Sequence, residues 1–169
     1  MEHLQEDGPV AVERQFRKRL PKAIRMIIIA PYAQKLRTGK ENPKNYPYWK
    51  ELISMIDEPI IQVGVSGEEQ LVPDFKTDLP IPALRELLWQ CRTWIGVDSF
   101  FQHLAWDEGV KGIVLWGPSD PLIFGHPENI NLLKDRSHLV ENQFIWWEAT
   151  EHSSDRFVKP KEILEHLKD

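Results

Sequence analysis

The chain is poor in cysteine and has no long apolar run, and both features narrow what it can be. A single cysteine, Cys91, stands among 169 residues, so no internal disulfide and no multi-thiolate metal site can form. That usage fits a reducing compartment. The longest apolar run, residues 26–30, is far too short to cross a bilayer or to form a signal-peptide core. We therefore expect a soluble, cytoplasmic protein without a membrane span.

Several common catalytic and binding patterns are also missing. The six histidines are scattered without metal-ligand spacing, so we expect no metal site. The Gly-x-Ser-x-Gly elbow of a Ser-His-Asp hydrolase does not occur. A net charge of -5 is modest, so the overall balance demands neither nucleic acid nor an anionic membrane as a partner.

The residues that are present suffice for one hydrophobic core. They are 41% hydrophobic, with seven Trp and seven Phe, in a chain of ordinary single-domain length. We expect an arm over residues 1–22 and one domain over residues 23–169. The arm is highly charged, is interrupted by Gly8-Pro9 and carries a short predicted helix over residues 12–20.

Apolar patterning in the rest of the chain alternates between strands and helices. The predicted strands lie at 26–30, 60–65, 94–97, 112–116 and 130–133. The predicted helices lie at 48–56, from Pro82 to a stop near 92, at 99–106 and at 161–167. The acidic stretch 66–80 is expected to be a long loop or a degenerate β-turn segment. This order is typical of a doubly wound α/β domain, with three layers, a mainly parallel sheet and a Rossmann-like fold.

Asp98-Ser99, between a buried strand and a helix, is the most informative corner of the sequence. The first N–H groups of a helix that begins there are unpaired and carry partial positive charge, so a phosphate is stabilised at that end. His103 lies four residues after Ser99 on the same helical face and can reach back toward the same ligand. A plainer interpretation is that Asp98 or Ser99 only caps the helix and that His103 is a half-buried structural residue. Spacing alone leaves both open.

The block Asp98-Ser99-x-x-x-His103-x-Ala105, followed by an apolar strand and a Gly-Pro-Ser-Asp-Pro turn at 117–121, resembles the C-terminal, donor-binding half of glycosyltransferase family 9, the bacterial heptosyltransferases. The basic loop 44–49, Lys-Asn-Tyr-Pro-Tyr-Trp, is similar to a family element that precedes a helix. The likeness covers about residues 25–135. It implies one half of a GT-B fold and transfer of a sugar, hexosyl or heptosyl, from a nucleoside-diphosphate sugar such as an ADP-sugar.

The resemblance also implies roles for particular residues. Those implied to hold the donor diphosphate are Asp98, Ser99, His103 and Lys44. Those implied to lie beside the same crevice are Phe100, Gly117, Ser119 and Asp120. Charge that develops on the departing diphosphate would be stabilised by dipoles and cations already aimed at it, without a metal or another cofactor. Lys35, Arg37 and Lys40 compete with Lys44 for its role, and Asp120 is also a common turn residue.

Two departures from the family pattern put the transfer reaction in doubt. Phe100 stands where the family has glycine, so its side chain would crowd a phosphate or offer an aromatic wall. The family carries its acceptor site and general-base carboxylate in an N-terminal domain that has no counterpart in this sequence, so no catalytic residue is assigned. We expect a partner chain or a homo-oligomer to complete the cleft. The alternative is a non-catalytic nucleotide-binding or protein-interaction module.

A cluster of basic residues at 14–25 is the one local departure from the acidic balance. Nucleic acid is one conceivable partner for such a cluster. A solvated helix face, or a docking arm for another subunit, explains the same residues more simply. Aromatic residues at 144–147 could stack on a base, although such density is more typical of a core or an interface.

Overall fold

A six-stranded sheet forms the centre of the part of the chain that this computed structural model describes, residues 25–168. The strands are β1 (Ile27–Ala30), β2 (Ile60–Gly64), β3 (Phe75–Thr77), β4 (Thr93–Val97), β5 (Ile113–Trp116) and β6 (Ile130–Leu133). Every pairing is parallel, and the spatial order is β3-β2-β1-β4-β5-β6. The predicted Rossmann-like α/β fold is confirmed. The predicted arm with its helix lies outside the described residues.

Five α-helices accompany the sheet in the described residues: α1 (Trp49–Ser54), α2 (Ile81–Gln90), α3 (Phe100–Asp107), α4 (Pro121–Phe124) and α5 (Pro160–Glu165). Four of them coincide with predicted helices to within a few residues, whereas α4 was not predicted. Short 3-10 turns follow β6 at Arg136–His138, Trp147–Ala149 and Ser154–Arg156. Across residues 25–168, no helix is both long and apolar enough to span a bilayer.

The predicted loop 66–80 contains the edge strand β3, which is a correction to its expected structure. β3 has only three residues, and none of them is buried, so the sequence has no apolar run that would predict a strand there. Backbone pairing holds it in place: Gln62 of β2 lies in register with Phe75, and its N–H donates to the Asp74 carbonyl at 2.9 Å. Neither the long loop nor the degenerate β-turn segment offered as its alternative includes this strand.

The central strands are apolar throughout because helices cover both faces of the sheet. On one face, β1 contributes Ile27 and Ile29 to a core that also contains Leu52 of α1 and Ile163 of α5. On the other face, Ile28 packs in a core with residues of α2 and α3. All three of these β1 isoleucines are fully buried. Because burial is continuous, such strands appear in the sequence as apolar runs, without the alternation of apolar and polar residues that is typical of a strand with one exposed face.

The sheet reverses its strand order between β1 and β4. From β1 the chain moves to β2 and β3 on one side, and from β4 it moves to β5 and β6 on the other. The connections therefore leave neighbouring strands in opposite directions and open a crevice at the carboxyl ends of β1 and β4. The loop after β1 and the start of α3 face each other across this crevice.

Candidate functional site

A buried ion pair occupies the crevice between β1 and β4. Nζ of Lys44 lies 3.0 Å from Oδ2 of Asp98, and the side chains are 16% and 7% exposed. Asp98 directly follows β4, while Lys44 belongs to the loop after β1, so the reversal of strand order brings them together. The contact has ion-pair distance without the angles of a hydrogen bond. Two of the residues predicted to hold a diphosphate thus lie side by side.

Gln102 fixes the other oxygen of the Asp98 carboxylate. It is fully buried, lies in the first turn of α3, and donates from Nε2 to Asp98 Oδ1 at 2.9 Å. The i, i+4 spacing from Asp98 is the only sequence signal for this contact. Gln102 was not among the predicted site residues. Its amide orients the carboxylate toward Lys44.

Two aromatic rings flank the Lys44 ammonium, and we call them the aromatic clamp: Trp147 and Phe124. The ammonium lies 4.6 Å from the Trp147 ring centroid and 5.9 Å from that of Phe124. Ring faces attract cations, most strongly where solvent is excluded. The clamp therefore stabilises the charge of Lys44 beside Asp98. Phe124 was not predicted to take part, and Trp147 was considered only as a ring that could stack on a base.

The competing cations in the same loop are placed differently from Lys44. Arg37 lies 4.6 Å above the ring of Trp146 and 3.6 Å from Glu148. Lys40 forms a solvent-exposed ion pair with Glu151 at 3.6 Å. Lys35 is exposed. Among these four, Lys44 is the one paired with Asp98.

Ser99 and Phe100 mark the beginning of α3. Ser99 is the N-cap residue, with an extended backbone, and its side chain makes no capping hydrogen bond. The hydroxyl is therefore not used by its own helix, contrary to the plainer interpretation of this corner. Phe100, the first helical residue, is 58% exposed and presents its ring to solvent.

His103 lies on the outer face of α3 and is exposed, not half-buried. Its Nδ1 lies 2.8 Å from Nε2 of His126, and the two rings meet edge to face with centroids 5.0 Å apart. Trp106, one turn further along α3, stacks on the His126 ring at 4.5 Å with an interplanar angle of 10°. Burial, and secondly the charge of His103, lower the pKa of His126. His126 was not singled out by the sequence.

The turn after β5 is built by packing and capping contacts. A Cβ added at Gly117 would lie 2.4 Å from Cζ of Phe157, so glycine is required there by a buried ring. Asp120 caps α4 by accepting from the Leu122 N–H at 2.9 Å, and Arg136 donates to both carboxylate oxygens at 3.1 and 2.7 Å. Those donors, Arg136 first, lower the pKa of Asp120, and burial opposes them.

Ser119, between these two residues, is buried. Its hydroxyl has no hydrogen-bond partner within the described residues. Of the three predicted neighbours of the crevice in this turn, Gly117 and Asp120 thus have architectural contacts of their own. No cluster of three or more metal-ligating side chains occurs among residues 25–168.

Comparisons with known proteins identify the fold. No family model and no curated protein matches the sequence. Among solved structures, the ADP-heptose lipopolysaccharide heptosyltransferase II of E. coli matches with a TM-score of 0.62 and 18% identity, over 92% of this chain and 50% of that one. An E. coli heptosyltransferase solved with ADP matches with a TM-score of 0.58 and 18% identity, over 94% and 49%.

A third match is a family 9 glycosyl transferase of Veillonella parvula, with a TM-score of 0.56 and 14% identity over 92% of this chain and 49% of that one. The chain thus spans about half the length of the solved structures it matches. At these identities the likeness concerns the fold. The described residues have the Rossmann-like fold of one half of a family 9 glycosyltransferase, as the resemblance in the sequence implied.

Proposed function

We propose that the crevice binds the diphosphate of a nucleotide sugar and that the chain is the donor-binding part of a glycosyltransferase. The observation that carries this proposal is the buried Lys44–Asp98 pair at the point where the strand order reverses, beside the N-terminus of α3. Parallel α/β sheets bind ligands at such points. One solved structure of the same fold holds ADP.

The proposed contacts have distinct chemical roles. Lys44 supplies the cation, and its three N–H donors allow it to meet a phosphate oxygen while it stays near Asp98. Free N–H groups at the start of α3 and the Ser99 hydroxyl, which does not cap the helix, supply further donors. Asp98 is acceptor-only and repels phosphate, so its role is to hold Lys44 in place. This arrangement stabilises the charge that grows on a departing diphosphate.

In the transfer itself, the bond between the sugar carbon and the diphosphate oxygen breaks, and a bond to an acceptor oxygen forms. The acceptor proton must go to a general base, which we do not assign to a residue of this chain. We therefore propose that a second domain or chain, or a second copy, supplies the acceptor site. The half-length match to solved heptosyltransferases supports this division.

Calorimetric titration with ADP, UDP, GDP and an ADP-sugar tests the donor site. Loss of a charge-assisted hydrogen bond should weaken binding of the preferred nucleotide about 10- to 100-fold in Lys44→Met. Lys40→Met is the matched control, because Lys40 forms an exposed pair in the same loop, and it should change the dissociation constant less than about twofold. No binding to any of these ligands, or equal effects of the two substitutions, would refute the site.

A non-catalytic binding module is the second candidate function, and the exposed ring of Phe100 favours it. Glycine at that position lets a phosphate approach the backbone closely, whereas a phenylalanine side chain occupies the same space. Donor hydrolysis or sugar transfer, measured with the chain alone and with cell extract added, distinguishes the two functions. Nucleotide binding without turnover under both conditions would support the non-catalytic module and exclude the transferase.

A further inference from the structure

His103 and His126 form a direct imidazole pair outside the Lys44–Asp98 contact. The 2.8 Å between Nδ1 of His103 and Nε2 of His126 is a hydrogen-bond distance, so one nitrogen carries a proton and the other accepts it. Since Nδ1 of His103 is occupied, Nε2 is the nitrogen of that ring left to meet a ligand. The neighbour of His103 therefore decides which of its nitrogens can donate.

Only one proton fits between the two rings, which leaves two neutral arrangements. If His103 donates from Nδ1, its Nε2 is a lone pair and repels an anion. If His126 donates from Nε2, neutral His103 carries its proton on Nε2 and can donate to an anion. Only the second arrangement lets neutral His103 donate from Nε2 to a phosphate oxygen.

The surroundings of His126 favour a neutral, well-placed ring. Trp106 stacks on it at 4.5 Å and holds its plane, and its ring meets that of His103 edge to face. Burial, the largest effect, lowers the pKa of His126; His103 lowers it further, and Glu128 raises it. A neutral imidazole held in one plane can present a single N–H to its partner.

We infer that His126 is a positioning residue, which donates from Nε2 to Nδ1 of His103 and thereby keeps the His103 proton on Nε2, available to a phosphate oxygen of the donor. This role rests on the proposed donor site. His126 acts through His103 and need not touch the ligand itself. It comes from the connection between α4 and β6, a segment that the resemblance to family 9 does not assign to the site.

Nitrogen-15 NMR of the unliganded protein tests the tautomer without any nucleotide. At a pH where the pair is neutral, His103 should show a protonated Nε2 and an unprotonated Nδ1. In His126→Phe, which keeps an aromatic ring for Trp106 but has no N–H, the two His103 tautomers should exchange. A predominantly Nδ1-protonated His103 in the parent, or an unchanged spectrum in the variant, would overturn the inference.

Titration with ADP tests the consequence for binding. His126→Phe should weaken ADP binding about 3- to 10-fold, and His126→Gln, whose amide N–H can replace Nε2–H, should restore it to within about twofold. In a His103→Ala background, His126→Phe should cause no further loss, because the two residues act as one unit. Equal weakening in both backgrounds would refute the positioning role. If the parent binds no ADP, the proposed function fails, while the tautomer spectrum still decides whether His126 fixes His103.

Discussion

Replacing Lys44 by methionine would leave the buried carboxylate of Asp98 without its cation. Methionine keeps much of the lysine stem, so the change removes the ammonium with little loss of packed volume. Both side chains lie mostly out of solvent, at 16% and 7% exposure, so water cannot easily replace the missing charge. The substitution therefore isolates the electrostatic contribution of the pair to stability.

The magnitude follows from the distance and the burial. Unit charges 3.0 Å apart attract by about 5.5 kcal/mol at an effective dielectric constant of about 20, and desolvation offsets much of that attraction. Removing one partner of a buried pair typically costs 3–5 kcal/mol. We expect Lys44→Met to lower the free energy of unfolding by about 3 kcal/mol, including the lost contact with the aromatic clamp.

Asp98→Asn should lower the free energy of unfolding less than Lys44→Met does. Its amide oxygen can still accept from Gln102, and Lys44 keeps both rings. Urea unfolding of the unsubstituted protein, both single variants and the double variant gives the coupling free energy between the two side chains, which we expect to be about 2 kcal/mol. If the two substitutions are additive within about 0.5 kcal/mol, the ion pair does not stabilise the folded protein and our reasoning about the crevice is wrong.

Three further predictions concern a packing contact, an ion pair and a buried amide. Gly117→Ala should lower the free energy of unfolding by about 1–3 kcal/mol, because its methyl group would collide with the Phe157 ring. Adding Phe157→Leu to the same chain should recover part of this loss in urea unfolding. If the effects of the two substitutions simply add, the packing argument is wrong. Asp120 has a lowered pKa because Arg136 donates to it, so its stabilisation is complete above about pH 4 and declines as acid protonates it. The stability difference between the parent and Asp120→Asn should therefore shrink below pH 4, and parallel curves from pH 7 to 3 would argue against the pair. Gln62→Leu should lower the free energy of unfolding by about 2–4 kcal/mol, because the buried amide accepts one backbone N–H at 2.7 Å and donates to one carbonyl at 2.8 Å. A melting temperature equal to that of the unsubstituted protein would refute this.

Sequence reasoning predicted the fold well where burial is continuous. Strands β1, β4 and β5 are covered on both faces, so each appears as an apolar run whose ends match the structure to within a residue or so. The apolar pattern of the sequence did not predict β3, which is held mainly by backbone pairing with β2. The pattern also did not predict α4, which is a single helical turn. Leu122 of this turn is 80% exposed, so the apolar residues there do not mark a buried face.

The candidate site was predictable only in part, for a different physical reason. Asp98 directly follows β4, and Lys44 lies in the loop after β1. The resemblance implied a diphosphate contact for each of them, but it did not predict that they form an ion pair. The partners of these residues come from distant segments. His126 is 23 residues from His103, and the ring of Trp147 reaches Lys44 from a turn after β6. Such contacts depend on how loops pack, which local periodicity does not encode.

The aromatic clamp also has a consequence for the order in which the molecule assembles. Trp147 lies in a segment that is tied to the loop around Lys44 by contacts far apart in sequence. His152 meets the Asn45 carbonyl across 107 residues, and the Tyr46 hydroxyl donates to the Val158 carbonyl across 112. Closing loops of this length costs chain entropy, which the native contacts of the segment must offset. The Lys44 ammonium therefore gains the ring of Trp147 only when the segment after β6 has docked on the loop after β1. Native-state hydrogen exchange should show whether this junction opens together with the sheet, as expected from its buried residues Tyr46 and Val158.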